Sequence, residues 1–163
     1  MKIKIPLPLV LILVAFGGIL TFKQISNPVD RHGKAAYAHT EGLLACGPRP
    51  ADSEGLKKAQ QYISKQLAQH GWSTMSQAVV RNTPLGDKTF VNLIARYDVD
   101  KLETLDDLKA INTKGILGAH LDSKLIPGIP NFLGADDAAS ACALIIELAT
   151  ELGKNHTELA KQL

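Results

Sequence analysis

The chain has 163 residues, of which 45% are apolar and 21% charged, and its formal net charge is +2. This composition excludes an intrinsically disordered chain and supplies one modest core, not two large ones. The near-neutral charge gives no basic face for binding nucleic acid. Cys46 and Cys142 stand far apart without a CxxC or Cys/His cluster, which excludes a disulfide scaffold and a thiolate zinc site but leaves a single disulfide open.

The amino terminus carries an apolar run without a charge, residues 5–22, with lysines on both sides. This pattern is typical of an export signal or of a membrane anchor. No small-x-small cleavage site follows the run, which favours an anchor, whereas its short length favours a signal. We therefore expect residues 1–23 to be a signal peptide or membrane anchor and 24–35 a polar linker. The domain at 36–163 is then membrane-anchored and faces the periplasm or the exterior, or it is secreted.

The first predicted element of that domain is an amphipathic helix within 51–70. Apolar residues recur there at steps of three and four, which is the spacing of one helix face. Asp52 or Ser53 can serve as the N-cap, and Gly71 is the predicted stop.

Strands and further helices follow along the chain. Composition and turn residues predict a strand, a turn, a second strand and a short surface helix, in that order, at 72–81, 82–86, 89–96 and 98–113. The continuous apolar run 115–121 predicts a buried strand of a sheet covered on both faces. Helical spacing over 138–152 predicts a last helix. The order indicates an α/β sandwich.

The chemistry-bearing residues lie at the end of the third predicted strand and before the last helix. His120 and Asp122 are two apart, so they share one face of a strand. Asp136 and Asp137 precede the helix and can reach the same edge of the sheet, where open α/β sheets bind ligands. An imidazole with carboxylates is a ligand set suited to zinc.

Two simpler interpretations stay open at this point. An Asp-Asp pair before a helix is often an N-cap that also benefits from the helix dipole, which is the alternative for Asp136. A histidine at a strand end is often a hydrogen-bonded surface residue. Lys124 is by default a solvated lysine.

Four short motifs together make the pattern specific. They are GPRP, TPLG followed by FVNLI, AHLDSK and FLGADD, at 47–50, 83–94, 119–124 and 132–137. In these motifs the chain resembles the amino-terminal half of the zinc-dependent glutaminyl cyclases, which share their fold with the two-zinc aminopeptidases. The resemblance implies a truncated, partial α/β/α sandwich of the zinc aminopeptidase-like type, which we expect to follow an N-terminal hydrophobic helix. The resemblance runs from about residue 36 to 152.

The resemblance implies roles for three residues. Asp137 corresponds to the metal-ligating aspartate, followed by a cis peptide bond. His120 is a metal ligand in two-zinc relatives and only lines the site in cyclases. Asp122 corresponds to the carboxylate that orients this histidine, and we place it with the catalytic residues. The resemblance thus implies zinc, and peptide or protein N-termini as substrates.

The same resemblance implies elements that this sequence lacks. In the family, an acidic pair and a late histidine further along complete the zinc site, and they lie beyond Leu163. A catalytic zinc normally takes three protein ligands, so we expect this stretch alone to be inactive. The family disulfide next to the motif histidine is also absent, because residue 119 is Ala.

The implied activity is cyclisation of an N-terminal glutamine to pyroglutamate with release of ammonia. Two alternatives remain. One is a zinc aminopeptidase of the same fold, and the other is a non-catalytic, membrane-tethered remnant.

Overall fold

The structure, a computed structural model, describes residues 28–100 and 102–163, so the apolar run 5–22 lies outside the described residues. Residues Ala35–Leu163 form one compact unit. Within the described ranges, no helix combines the length and the apolarity that a membrane crossing requires.

The described residues form five α-helices, two strands and one irregular helical turn. In chain order they are α1 Pro28–Leu44, α2 Glu54–Ala68, β1 Trp72–Thr83, β2 Gly86–Tyr97, α3 Leu105–Lys109, the turn Ala135–Ser140, α4 Ala141–Asn155 and α5 Thr157–Ala160. The predicted mixture of helices and strands is confirmed. Residues 28–35, the end of the segment predicted to be a linker, are helical and begin α1.

Helix α2 matches the predicted amphipathic helix. Ser53 is its N-cap, and the side-chain oxygen accepts a hydrogen bond from the Leu56 amide at 3.1 Å. This bond satisfies one of the amides that a helix start leaves unpaired. The helix ends at Ala68, shortly before the predicted stop at Gly71.

The two predicted strands form an antiparallel hairpin. Trp72 pairs with Tyr97 at the open end, and Thr83 pairs with Gly86 at the turn. The Trp72 and Tyr97 rings meet edge to face with centroids 5.4 Å apart. Trp72 Nε1 donates to the Ala149 carbonyl at 3.0 Å, which fastens the hairpin to α4.

The prediction of a buried strand at 115–121 is wrong. Residues 112–125 have no regular secondary structure, and Ile116 is 87% exposed. A strand needs a neighbouring edge for its amide and carbonyl groups. Within 28–100 and 102–163, the sheet contains β1 and β2 alone. The predicted sandwich with both faces covered is therefore not formed by the described residues.

Two apolar clusters hold the elements together. The first lies beneath the segment that carries the site and joins α1, α2 and α4 through Leu43, Ala59, Ala139, Cys142 and Ala143. The second joins α2, β1, α4 and α5 through Leu67, Trp72, Ala149, Leu152 and Ala160. Helix α4 belongs to both clusters, so the residues just before it are anchored to the core.

Candidate functional site

The structure brings the three predicted site residues together. His120 Nε2 lies 2.7 Å from Asp137 Oδ1. On the other side of the ring, Nδ1 lies 3.2 Å from the Asp122 carbonyl oxygen and 3.4 Å from Asp122 Oδ1. All three side chains are more than half exposed, so the cluster faces solvent.

Both ring nitrogens of His120 face oxygen atoms that accept hydrogen bonds. Desolvation acts to lower the pKa of His120, but the hydrogen bonds to Asp137 and to the Asp122 carbonyl, with the charges of both carboxylates, raise the pKa above its usual value overall. The arrangement therefore favours a protonated ring. A metal ion would instead take the neutral ring, since it binds through a nitrogen lone pair.

The turn before α4 presents Asp137 to the histidine. In the turn Ala135–Ser140, Asp137 and Ala138 have non-helical backbone angles, and the peptide bond between them is cis, as the family resemblance implied. Gly134 starts the turn with φ of +57°, and no side chain caps it. The alternative role of Asp136 as an N-cap is wrong, because Gly134 occupies the N-cap position. Asp136 lies inside the turn, where its backbone carbonyl accepts a hydrogen bond from Ser140 Oγ at 3.0 Å.

Close packing explains the glycine at 134. A Cβ atom added there would lie 2.3 Å from the Asp137 carbonyl oxygen and 3.1 Å from Ser123 Cβ. The backbone of the turn thus passes directly over Gly134. The absence of a side chain at Gly134 therefore lets the Asp137 backbone lie close to Ser123, in the segment that carries His120.

Two buried polar residues beneath the site were not singled out as functional from the sequence. Arg49 is fully buried and Ser123 is 2% exposed, although both residue types are mostly found at the surface. The available signal was that both fall inside the family motifs. Lys124, by contrast, is exposed, as expected of a solvated lysine.

The donor set fits part of a zinc site. His120 Nε2 and Asp137 Oδ1 are a nitrogen and an oxygen of the kinds that bind zinc in proteins, and they lie 2.7 Å apart. These two residues would hold the ion if it bound here. Asp122 can hold Nδ1–H so that Nε2 is free to bind. In the part of the chain that the structure describes, no group of three His, Cys, Asp or Glu side chains is placed to hold a metal.

A large apolar cavity adjoins the site. It has a volume of about 700 Å³ and is lined mainly by residues of α2, β2, the segment 113–122 and α4. His120 and Asp122 belong to its lining, whereas Asp137 does not.

Sequence comparisons point to one group of proteins. The profile of Peptidase family M28 matches residues 103–163. A glutaminyl-peptide cyclotransferase of Dictyostelium discoideum is 32% identical over 71% of this chain and 34% of its own length. A glutaminyl-peptide cyclotransferase-like protein of Mus musculus is 31% identical over 70% of this chain and 28% of its own length. The chain thus spans about a third of these relatives.

Solved structures agree with the sequence comparisons. The crystal structure of Macrostomum lignano glutaminyl cyclase matches 80% of this chain and 35% of its own chain, with a TM-score of 0.61 and 26% identity. The predicted resemblance to glutaminyl cyclases is confirmed. A Zn-dependent exopeptidase from Parabacteroides distasonis matches 76% of this chain and 42% of its own, with a TM-score of 0.59 and 23% identity, which shows a shared fold alone.

Proposed function

We propose that this chain is part of a glutaminyl-peptide cyclotransferase that converts an N-terminal glutamine to pyroglutamate and releases ammonia. The observation that carries the proposal is the 2.7 Å contact between His120 and Asp137, with Asp122 on the far side of the imidazole. The cyclotransferases among the relatives supply the reaction class.

Each site residue has a distinct role in this proposal. Asp137 is the metal ligand, and its place is set by the turn at Gly134 and by the anchored start of α4. His120 lies next to it as a second ligand or as part of the site wall. Asp122 positions the imidazole. Zinc bound here would supply Lewis-acid polarisation of the substrate γ-carbonyl.

The described residues supply only part of the proposed site. A catalytic zinc takes about three protein ligands, and the described residues bring two candidate ligands, His120 and Asp137, together. We propose that the remaining ligand and the acidic proton carrier lie in the part of the domain that this chain does not span. We also propose that the complete domain forms the full α/β/α sandwich.

The first experiment measures bound zinc in the complete domain. We expect Asp137→Ala to lose the metal, because the substitution removes a carboxylate ligand. Asp136→Ala is the matched control, because this neighbour lies in the same turn without contacting His120. Metal analysis and circular dichroism of both variants separate ligand loss from misfolding. Equal zinc in wild type and Asp137→Ala would contradict the proposal.

The alternative is a zinc aminopeptidase of the same fold, a class compatible with the match to Peptidase family M28 over residues 103–163. The relatives at 31–32% identity are a cyclotransferase and a cyclotransferase-like protein, which favours the first candidate. In that reaction water attacks a peptide carbonyl, whereas in the cyclotransferase the α-amine of glutamine attacks its own γ-carbonyl. Ammonia released from a glutaminyl peptide indicates the cyclotransferase, and free amino acids released from other peptides indicate the peptidase. If the domain retains no zinc and releases neither product, the result favours the non-catalytic, membrane-tethered remnant.

We also propose a location for the domain. The lysine-flanked apolar run 5–22 supports residues 1–23 as a signal peptide or membrane anchor, with 24–35 as the linker and the domain outside the cytoplasm. Cell fractionation tests this proposal: recovery of the chain in the cytoplasm would overturn it.

A further inference from the structure

We infer that Arg49 is a positioning residue that holds the two halves of the site together. The first half is the segment with His120 and Asp122, and the second is the turn with Asp137. The geometric part of this inference is independent of the reaction, whereas its consequence for turnover rests on the proposed function.

The guanidinium of Arg49 joins segments that are distant in sequence. Its Nε donates to the Leu121 carbonyl at 3.0 Å, between the two site residues of that segment. One terminal nitrogen donates to the Gly134 carbonyl at 3.2 Å, at the start of the Asp137 turn. The other terminal nitrogen lies 3.5 Å from the carbonyl of Leu43, at the end of α1, and 3.4 Å from the carbonyl of Gly47, just beyond that helix. One side chain thus connects three pieces of backbone.

The backbone of Arg49 adds a second connection to the same segment. Its amide donates to Ser123 Oγ at 2.8 Å, and its carbonyl accepts from the Ser123 amide at 3.1 Å. Ser123 Oγ also lies 3.3 Å from the Phe132 carbonyl, just before the Asp137 turn. Residues 121–123 are therefore held to Arg49 from both sides of Asp122.

This network substitutes for sheet hydrogen bonds at the site. Among the described residues, segment 115–121 is not paired in a strand, so the position of His120 depends on other contacts. Cys142 Sγ, in α4, contacts the His120 carbonyl at 3.2 Å, and Arg49 supplies the neighbouring fixed point at Leu121. The link to Gly134 then sets the spacing between His120 and Asp137.

An arginine is suited to this position because its planar fork carries five donors in fixed directions. A lysine keeps the charge but offers one nitrogen, which reaches fewer of the carbonyls. Burial lowers the pKa of Arg49, yet an arginine stays protonated in proteins, so its donors persist at any working pH. The inference therefore predicts that Arg49→Lys rescues the site only in part.

The test uses hydrogen exchange of single amides in the full chain. We expect Arg49→Met to speed exchange of the Ser123 amide by about tenfold or more relative to the hairpin amides. Without the guanidinium hydrogen bonds, the segment 121–123 opens locally more often. Arg49→Lys should fall between this variant and wild type. The same variants should change the ¹⁵N shifts of the His120 ring, which report the contact with Asp137.

Arg96 provides a matched control. It is also a buried arginine, 3% exposed, but it donates to Thr113 Oγ1 at 2.9 Å and to the Leu163 carbonyl, away from the Asp137 turn. Arg96→Met should speed exchange at Lys114, whose amide donates to the Gln162 carbonyl, and leave Ser123 protected.

The outcomes separate positioning from general stability. Faster exchange of Ser123 alone, with altered His120 shifts, supports the inference. Equal acceleration of all amides by Arg49→Met and Arg49→Lys, or unchanged His120 shifts, overturns it. In the complete domain the Arg49 variants should lower kcat more than they change KM. If wild type has no cyclotransferase activity, the proposed function fails, while hydrogen exchange still decides the role of Arg49.

Discussion

The close approach of backbone at Gly134 leads to a quantitative prediction. An alanine at this position meets two obstacles: a left-handed backbone with φ of +57°, and the Asp137 carbonyl oxygen 2.3 Å from the new Cβ. The first costs about 1–2 kcal/mol for an L-residue with a side chain. The second forces the turn to move, and overpacking of this kind costs about 1–3 kcal/mol. Gly134→Ala should therefore lower the free energy of unfolding by about 2–5 kcal/mol.

Gly128 is the matched control for the backbone part of this cost. It also lies in the left-handed region, with φ of +81°, but nothing lies within 4 Å of a Cβ built there. Gly128→Ala should therefore lower the free energy of unfolding by the backbone contribution alone, about 1–2 kcal/mol. The difference between the two variants measures the packing of Asp137 over Gly134.

Equilibrium unfolding in urea, followed by circular dichroism, measures both variants. We expect Gly134→Ala to shift the midpoint clearly further than Gly128→Ala, with similar slopes. Because the turn must move, Gly134→Ala should also disturb the NMR signals of His120 and Asp137, whereas Gly128→Ala leaves them in place. Equal loss of stability in the two variants would refute the close-packing argument.

Two further predictions concern the pH response and the helix cap. Asp137→Asn should lower the pKa of His120 measured by NMR titration, because the carboxylate hydrogen bond helps to raise it; an unchanged pKa would rule out the contact. Since the folded pKa lies above the unfolded one, the stability contributed by the protonated ring is fully present below about pH 6.5 and is lost as pH rises through the folded pKa. Ser53→Ala should cost about 1 kcal/mol in urea unfolding because α2 loses its N-cap. Ser64→Ala, inside the same helix, should cost nothing, and equal losses would argue against the cap.

Local sequence patterns determined the elements that the structure confirms. The helix at 54–68 follows from apolar periodicity and from Ser53 as its cap. The hairpin strands follow from residue composition and from the turn residues between them. The motifs around 120 and 137 also indicated the resemblance and the residue types of the site. Each of these signals lies within a short stretch of sequence, so it can be recognised without knowing the rest of the fold.

Tertiary structure decided which distant residues meet and what each of them contacts. The apolar run 115–121 has the composition of a strand, but a strand also requires a partner edge, and none is formed within the described ranges. The contacts that bury Arg49 likewise do not follow from the neighbouring residues, because its partners Leu121 and Gly134 lie more than seventy residues away in the sequence. The sequence by itself determined the local elements and the chemistry available to the site. Packing decided the contact between His120 and Asp137, since only long-range hydrogen bonds and close backbone contacts bring them to 2.7 Å.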